Sequence, residues 1–246
     1  MPHQPRIIAG VEVTPLCDAV GPMGETIRRP LAEMFPGAAL REEPWILHFH
    51  CYLLRDPAGR LTLVDTGIGP ADSPASSWAP VPGTLTAELA AAGVAPADVD
   101  TVILTHLHSD HASGAVADGR PLFENARHVL QQAEFDVAQG AMLDRILTPI
   151  KGQLHVVDGQ AEVSPGVHVH LAAGHTPGHQ IARVGELAIT GDLVLHLAQL
   201  SDPSVRYLYD DDQDQAAATR AEVLDALRAE HAVLATAHFS DPFVQL

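Results

Sequence analysis

The sequence predicts one α/β domain in which mixed β-sheets pack as a sandwich, and three observations support this class. Short apolar runs typical of strands alternate with helix-like segments, in the order strands, helix, strand, helix, strands, helix, strand. No repeat, low-complexity tract or long linker interrupts this order. A chain of 246 residues is long enough to bury a sizeable core. We therefore expect a single domain over residues 1–246.

Strands are predicted where apolar runs rich in Val, Ile and Leu are bounded by Gly, Pro or Asp. In chain order they are 6–13, both halves of a hairpin over 45–67, 100–106, the start of 127–139, several short strands over 154–190, and 232–238 as the last strand. Helices are predicted within 25–35, where Pro30 breaks the pattern, from 83 to about Gly93, in the second part of 127–139, and over 212–231.

Composition and charge exclude several classes of protein. The formal charge of −17 would repel a phosphate backbone, so we expect no nucleic-acid partner. No apolar run approaches the roughly 20 residues that span a bilayer, and residues 1–10 lack a signal-peptide pattern. We therefore expect a cytoplasmic protein without a membrane partner. Cys17 and Cys51 are interpreted as two buried free thiols rather than a disulfide.

The segment "LTHLHSDHASG" (104–114) carries the strongest chemical signal in the chain. His106 and His108 are two residues apart, so in extended backbone they face the same side. Asp110 and His111 follow in a turn that can aim both side chains at the same point. Neutral imidazoles together with a carboxylate are ligands for zinc or a similar divalent ion. The spacing therefore predicts a metal site at the end of a buried strand.

Further ligand-type residues follow later strands. His175 and His179 lie in "AAGHTPGH", Asp192 follows a strand in "AITGDL", and His238 follows the last predicted strand. A residue at each strand end is the arrangement expected for a site gathered along one edge of a sandwich. Together these residues outnumber the ligands that one ion requires.

These motifs, in the order "THLHSDH", "GHTPGH", "TGD" and "AHF", resemble the metallo-β-lactamase superfamily, and "LVDTG" at 63–67 resembles an early turn of that fold. The resemblance covers about residues 45–240. It implies a four-layer αββα sandwich with a dinuclear metal site, most often Zn²⁺, with Mn, Fe or Co as alternatives. It assigns His106, His108 and His175 to one ion, Asp110, His111 and His238 to the other, and Asp192 to a bridging position.

Other polar residues are given simpler interpretations. His179 is expected to support the ligands rather than bind metal. His48 and His50 repeat the H-x-H spacing without a nearby Asp-His pair, so they are interpreted as packed or facing the pocket. The acidic run 210–212 is interpreted as a solvated loop before a helix.

The resemblance implies hydrolysis, because two metal ions can share a hydroxide that attacks a carbonyl carbon. Histidine at position 108 favours hydrolysis, and aspartate at 192 argues against a true β-lactamase. The segment 191–239, from the bridging aspartate to the final His-aromatic pair, is most similar to the branch of lactonases, arylesterases and organophosphate hydrolases. We expect attack on a lactone or ester, or on a phosphotriester, of a small molecule. Asp110 is a candidate for moving the proton, and Tyr207 and Tyr209 are equal candidates for oxyanion donor.

Three other functions are kept as alternatives. One is a thioesterase of glyoxalase II type, which a basic patch for an acyl-thiol would support. Another is a mononuclear-iron dioxygenase acting on a persulfide, which would use a single metal triad. The last is a non-catalytic metal-binding protein. A homodimer is also left open, since relatives of this kind often dimerise.

Overall fold

A seven-stranded and a six-stranded sheet face each other across the core of the protein. The structure, a computed structural model, describes residues 3–246. The strands are β1 (Arg6–Ile8), β2 (Val11–Pro22), β3 (Ile46–Arg55), β4 (Leu61–Val64), β5 (Thr101–Ile103), β6 (Val116–Ala117), β7 (Arg120–Pro121), β8 (Arg127–Gln131), β9 (Leu154–Val157), β10 (Gln160–Ser164), β11 (Val167–Leu171), β12 (Gln180–Val184), β13 (Leu187–Ile189), β14 (Val233–Ala235) and β15 (Phe243–Gln245).

Within residues 3–246, eight α-helical segments accompany the strands, most of them short. They are α1 (Leu31–Met34), α2 (Leu85–Ala91), α3 (Ser109–Ala112), α4 (Gln132–Val137), α5 (Gly140–Met142), α6 (Thr148–Ile150), α7 (Leu197–Ser201) and α8 (Gln213–Ala229). No helix within residues 3–246 is both long and apolar enough to cross a lipid bilayer.

Both sheets are mixed, as the sequence predicts. The first has the order β1-β2-β3-β4-β5-β8-β9, in which β4, β5, β8 and β9 run parallel and the earlier strands antiparallel. The second runs from β10 to β15 in chain order, with only β13 and β14 parallel among its described strands. The smaller pair β6–β7 lies outside both sheets.

Three apolar layers hold the sandwich together. Between the sheets, Tyr52 and Ile103 of the first pack with Val169 and Ile189 of the second. On the outer face of the first sheet, apolar side chains of α2 and of the segment around α6 pack against the strands. On the outer face of the second sheet, α8 buries Leu224. Burial of this apolar surface is the main favourable term for folding. The expected αββα architecture is confirmed.

The structure corrects the sequence prediction at several elements. The strand predicted over 6–13 is a hairpin, because Ala9 and Gly10 both adopt positive φ and reverse the chain. β2 then continues to Pro22 because it pairs along almost all of β3. Helix α1 begins only after Pro30, since proline has no N–H to donate inside a helix. The segment 232–238 is not the last strand, because β15 adds to β14.

Candidate metal centre

The predicted ligands lie at one edge of the sandwich, in loops that follow four strands. His106 follows β5, His175 follows β11, Asp192 follows β13 and His238 follows β14. The short helix α3 begins directly after His108 and turns the chain, so that Asp110 and His111 point back toward the same region. Side chains far apart in sequence therefore meet because the strand ends meet.

The ligand atoms form two groups, each with all atoms within 4.8 Å of one another. One group contains His106, His108, His175 and Asp192, and the other contains Asp110, His111 and His238. The side chains that the resemblance assigns to one ion thus lie together, and so do those that it assigns to the other.

Asp192 lies between the two groups and offers one carboxylate oxygen to each. Its Oδ2 is 3.2 Å from Nε2 of His175 and 3.9 Å from Nε2 of His106. Its Oδ1 is 3.1 Å from Nε2 of His111 and 3.0 Å from Nε2 of His238. The two oxygens of this carboxylate therefore face different groups of histidine nitrogens.

Several buried atoms of these residues have lone pairs that no well-aligned hydrogen bond uses, and this indicates that the residues fit metal ions. Nε2 of His106, Nε2 of His111 and Oδ1 of Asp192 are buried and make no well-aligned hydrogen bond within residues 3–246, although the last two atoms lie only 3.1 Å apart. Buried polar atoms are almost always paired, so such a group at one point indicates a ligand. Nitrogen and carboxylate donors of this kind suit zinc and similar divalent ions.

Electrostatics also indicates that the centre lacks positive charge. Burial lowers the pKa of His175, but the carboxylates of Asp192 and Asp210 outweigh it and raise that pKa to about 9. Burial also lowers the pKa of His238, but the negative charge of Asp192 outweighs it, so this pKa lies above its usual value. The pKa of the Asp192 carboxyl is held well below its usual range by the charges of His111 and His238, against the opposing effect of burial. Metal ions would take the place of these protons.

Three of the histidines, His111, His175 and His238, are oriented by a partner on the ring nitrogen that faces away from the centre. Nδ1–H of His111 donates to Oδ2 of Asp65 over 2.8 Å, and Nδ1–H of His175 donates to Oδ1 of Asp210 over 2.8 Å. Nδ1–H of His238 donates to a backbone carbonyl at 2.8 Å. These bonds turn Nε2 toward the centre and fix the tautomer, as is usual for metal-binding histidines.

Asp210 corrects the interpretation of residues 210–212 as a solvated loop. Asp211 and Asp212 are exposed, and Asp212 caps α8, but Asp210 is only 6% exposed. Its second oxygen lies 3.5 Å from the buried guanidinium of Arg220. Sequence reasoning missed this residue because a run of three aspartates carries no local sign that one of them is buried. It also missed the role of Asp65, although Asp65 belongs to the "LVDTG" motif.

His179 holds the backbone beside the bridging carboxylate. Its Nε2 accepts the N–H of Asp192 at 3.1 Å, while Nδ1–H donates to the carbonyl of Ala172 at 3.2 Å. Both nitrogens are thereby used within the protein. Gly191 makes this contact possible, because it has φ +47° and a Cβ there would lie 2.8 Å from Nε2 of His179.

Glu134, at the start of α4, connects two ligand-bearing loops and was also missed by sequence reasoning. Its carboxylate accepts the N–H of Leu107 at 2.8 Å, the hydroxyl of Thr176 at 2.7 Å and the N–H of Gly178 at 3.0 Å. Gly178 packs so closely on α4 that a Cβ would collide with the backbone of Glu134. The loop carrying His175 is therefore held against the loop carrying His106.

A cleft of about 210 Å³ opens over the centre. Its lining comprises Met23, Ile27, Trp45, Leu47, Trp78, His108, Ser109, Asp110, Asp192, Leu195, Tyr207, Tyr209 and His238. The two tyrosines differ in their bonding. The hydroxyl of Tyr209 donates to the carbonyl of Ile27. The hydroxyl of Tyr207 has no hydrogen-bond partner within residues 3–246, and its ring is stacked on His175 at 6.2 Å.

Fold and site together define a class of protein: a four-layer αββα sandwich with a histidine- and aspartate-rich cluster suited to metal along one edge. Residues 50–238 match the model of the Metallo-beta-lactamase superfamily, and the chain belongs to that family. The resemblance inferred from the motifs is thereby confirmed.

Similar proteins include an N-acyl homoserine lactonase of a Bacillus species, 33% identical over 162 residues. That alignment covers 59% of this chain and 59% of the relative, so the chain matches about three fifths of the relative's length.

Among solved structures, the hydrolase AbOPH of the beta lactamase superfamily superposes with a TM-score of 0.82 at 23% identity, covering 98% of this chain and 91% of that one. AidC, a dizinc quorum-quenching lactonase in complex with a product, N-hexnoyl-L-homoserine, superposes with a TM-score of 0.81 at 21% identity, covering 99% and 96%. These superpositions establish the shared fold.

Proposed function

We propose that this protein is a dinuclear metal-dependent hydrolase that opens lactones, or cleaves related esters, of small molecules with an apolar substituent. The observation that carries the proposal is Asp192, whose two oxygens face two separate groups of ligands. Two bound divalent ions, zinc by the nature of the donors, would activate water and polarise the carbonyl of the substrate.

The ligands divide as the geometry suggests. The first ion would be held by His106, His108 and His175, the second by Asp110, His111 and His238, and both by Asp192. Asp110 also lines the cleft, so its carboxylate can accept a proton and pass it to the departing alkoxide.

Tyr207 is the better candidate for stabilising charge on the substrate oxygen. Burial, reinforced by the negative charge of Asp192, raises the pKa of its phenol well above the usual value, so the group remains a hydrogen-bond donor. Its hydroxyl is uncommitted, whereas that of Tyr209 is bonded to Ile27. A donor aimed at the oxygen that gains charge lowers the barrier for acyl transfer.

The cleft favours an uncharged, apolar substrate. Apart from Ser109 and the centre itself, its walls are apolar or aromatic side chains, and the lining residues include no Lys or Arg. A thioester of glutathione or coenzyme A would need a basic surface, so the thioesterase alternative is not favoured. An acyl lactone fits these walls, and N-acyl homoserine lactones are the first substrates to test because relatives carry that name.

Metal analysis combined with a hydrolysis screen tests the proposal. The screen covers N-acyl homoserine lactones, aryl esters, thioesters and phosphotriesters. We expect at least two zinc ions per chain and activity on lactones. We also expect that His106→Ala and His238→Ala each lower both zinc content and activity, because each removes a ligand from a different group. His155→Ala, at an exposed histidine of β9, is the matched control.

Two results would contradict the proposal. One is iron in a single site with oxygen consumption and no hydrolysis, which would indicate the persulfide dioxygenase. The other is full lactone hydrolysis in both ligand variants.

A further inference from the structure

A third cluster of ligand-type side chains lies outside the centre described above, between β2 and β3. Cys17, His48 and His50 each offer a sulfur or nitrogen atom, and these three atoms lie within 4.8 Å of one another. Cys17 and His48 are half-buried and His50 is buried. The metal centre does not use any of these side chains as a ligand.

A β-bulge places the thiol beside the imidazoles. Cys17 pairs with His50, and Ala19 pairs with Phe49, so Asp18 is an extra residue in β2. The carboxylate of Asp18 turns away and accepts the N–H groups of Ile68 and Leu85, each at 2.7 Å. Cys17, directly opposite His50 in the ladder, shares a face with it.

His50 has the bonding pattern of a metal ligand. Its Nε2–H donates to the carbonyl of Phe239 at 2.9 Å, so the lone pair must be on Nδ1. That Nδ1 is buried and has no hydrogen-bond partner within residues 3–246. A backbone carbonyl on one ring nitrogen and an unused lone pair on the other is the usual arrangement for a ligating histidine.

The distance between the donors and the neutral state of both histidines agree with metal binding, and a cation would have to offset the burial that raises the pKa of the Cys17 thiol. In a tetrahedral zinc site with Zn–S of about 2.3 Å and Zn–N of about 2.0–2.1 Å, the sulfur and nitrogen are about 3.6 Å apart. Sγ of Cys17 lies 3.7 Å from Nδ1 of His48. Burial lowers the pKa of His50 to about 3 and that of His48 below its usual value, so both rings are neutral at pH 7.

We propose that Cys17, His48 and His50 form a separate zinc-binding site, with the Cys17 thiolate and Nδ1 of each histidine as ligands. Binding releases the thiol proton to solvent as the Zn–S bond forms, with no change of oxidation state. The fourth ligand is water, since His3 packs edge-on against the ring of His50 at 5.3 Å between centroids but lies outside the group of close ligand atoms.

The site is a structural one that acts on the proposed catalytic centre through the backbone. Nδ1–H of His238 donates to the carbonyl of His48 at 2.8 Å. An ion held by the side chain of His48 would restrain that carbonyl and with it the ring of His238. The consequence is tighter positioning of one ligand without any contact with substrate.

Cobalt substitution of the full chain tests the site independently of hydrolysis. Thiolate ligation to Co²⁺ produces a charge-transfer absorption in the near ultraviolet. The proposed catalytic centre contains only nitrogen and oxygen ligands, so it cannot produce this band. We expect the band in the unmodified protein and in Cys51→Ala, which removes the other cysteine. We expect it to disappear in Cys17→Ser, with one zinc ion fewer per chain.

A second variant covers the case in which Cys17→Ser does not fold. His48→Gln keeps the thiol and changes a half-buried position, so the band should require at least a tenfold higher cobalt concentration. No thiolate band in the cobalt-loaded unmodified protein would overturn the proposal and indicate a plain S–H···N contact. A band that persists in Cys17→Ser and disappears in Cys51→Ala would overturn it as well.

Discussion

Replacing Asp210 by asparagine isolates the effect of one buried carboxylate on the proposed centre. Asn has nearly the same shape and can still accept the Nδ1–H of His175, which now lies 2.8 Å from Oδ1. The exchange removes the negative charge, so a charge-assisted hydrogen bond becomes a neutral one of roughly half the strength. The ring of His175 becomes a poorer electron donor toward a metal ion.

The expected loss follows from the role of such partners in metal sites. Mutation of a carboxylate behind a ligating histidine typically lowers metal affinity about 10–100-fold, which corresponds to about 1.4–2.7 kcal/mol. The protein should remain folded, because Arg220, the other partner of Asp210, still donates to the carbonyls of Leu193 and Val205, both at 2.7 Å. We therefore expect weaker zinc binding by a protein with native secondary structure.

Competition with a chromophoric chelator measures the zinc affinity of the first group of ligands, and circular dichroism checks the fold. The control is Asp211→Asn, which removes the same charge one residue further along at an exposed position. Equal zinc affinity in Asp210→Asn and the unmodified protein would refute the reasoning. So would an equal loss in both variants, since that would indicate a general effect of net charge.

Three further predictions concern stability and the cleft. Burial lowers the pKa of His128 to about 4. As the pH falls from 6.5 to 4, the unfolded chain binds a proton that the folded protein does not, so about 3 kcal/mol of unfolding free energy is lost. Urea denaturation should show that His128→Leu loses less unfolding free energy between pH 6.5 and 4 than the unmodified protein. An equal loss in the two proteins would contradict this reasoning. Gly178→Ala should lower the free energy of unfolding by about 1–3 kcal/mol through collision with α4, whereas Gly152→Ala, with open space around it, should change it little. Tyr207→Phe should lower kcat about 10²–10³-fold if its hydroxyl stabilises charge on the substrate; Tyr209→Phe should have a smaller effect, and the reverse order would exchange their roles.

Most of the architecture could be predicted from local patterns. The hairpin over 45–67, the buried strand before His106 and the long C-terminal helix follow from apolar periodicity and turn residues within a few positions. The H-x-H-x-D-H spacing likewise specifies a ligand cluster locally. The short elements β6, β7 and α5–α7 were not predicted. Most of β2 and all of β15 also escaped prediction, because they are strands through pairing with distant partners rather than through their own pattern.

The sequence by itself therefore determined the fold class, the family and the identity of the candidate ligands, because each depends on residues close together in the chain. Only the tertiary structure decided which other side chains serve them. Asp210 meets His175 across 35 positions, and Cys17 meets His48 across 31. A charged or thiol side chain meets such a partner only when a remote element brings the two together, and no local pattern records that partner.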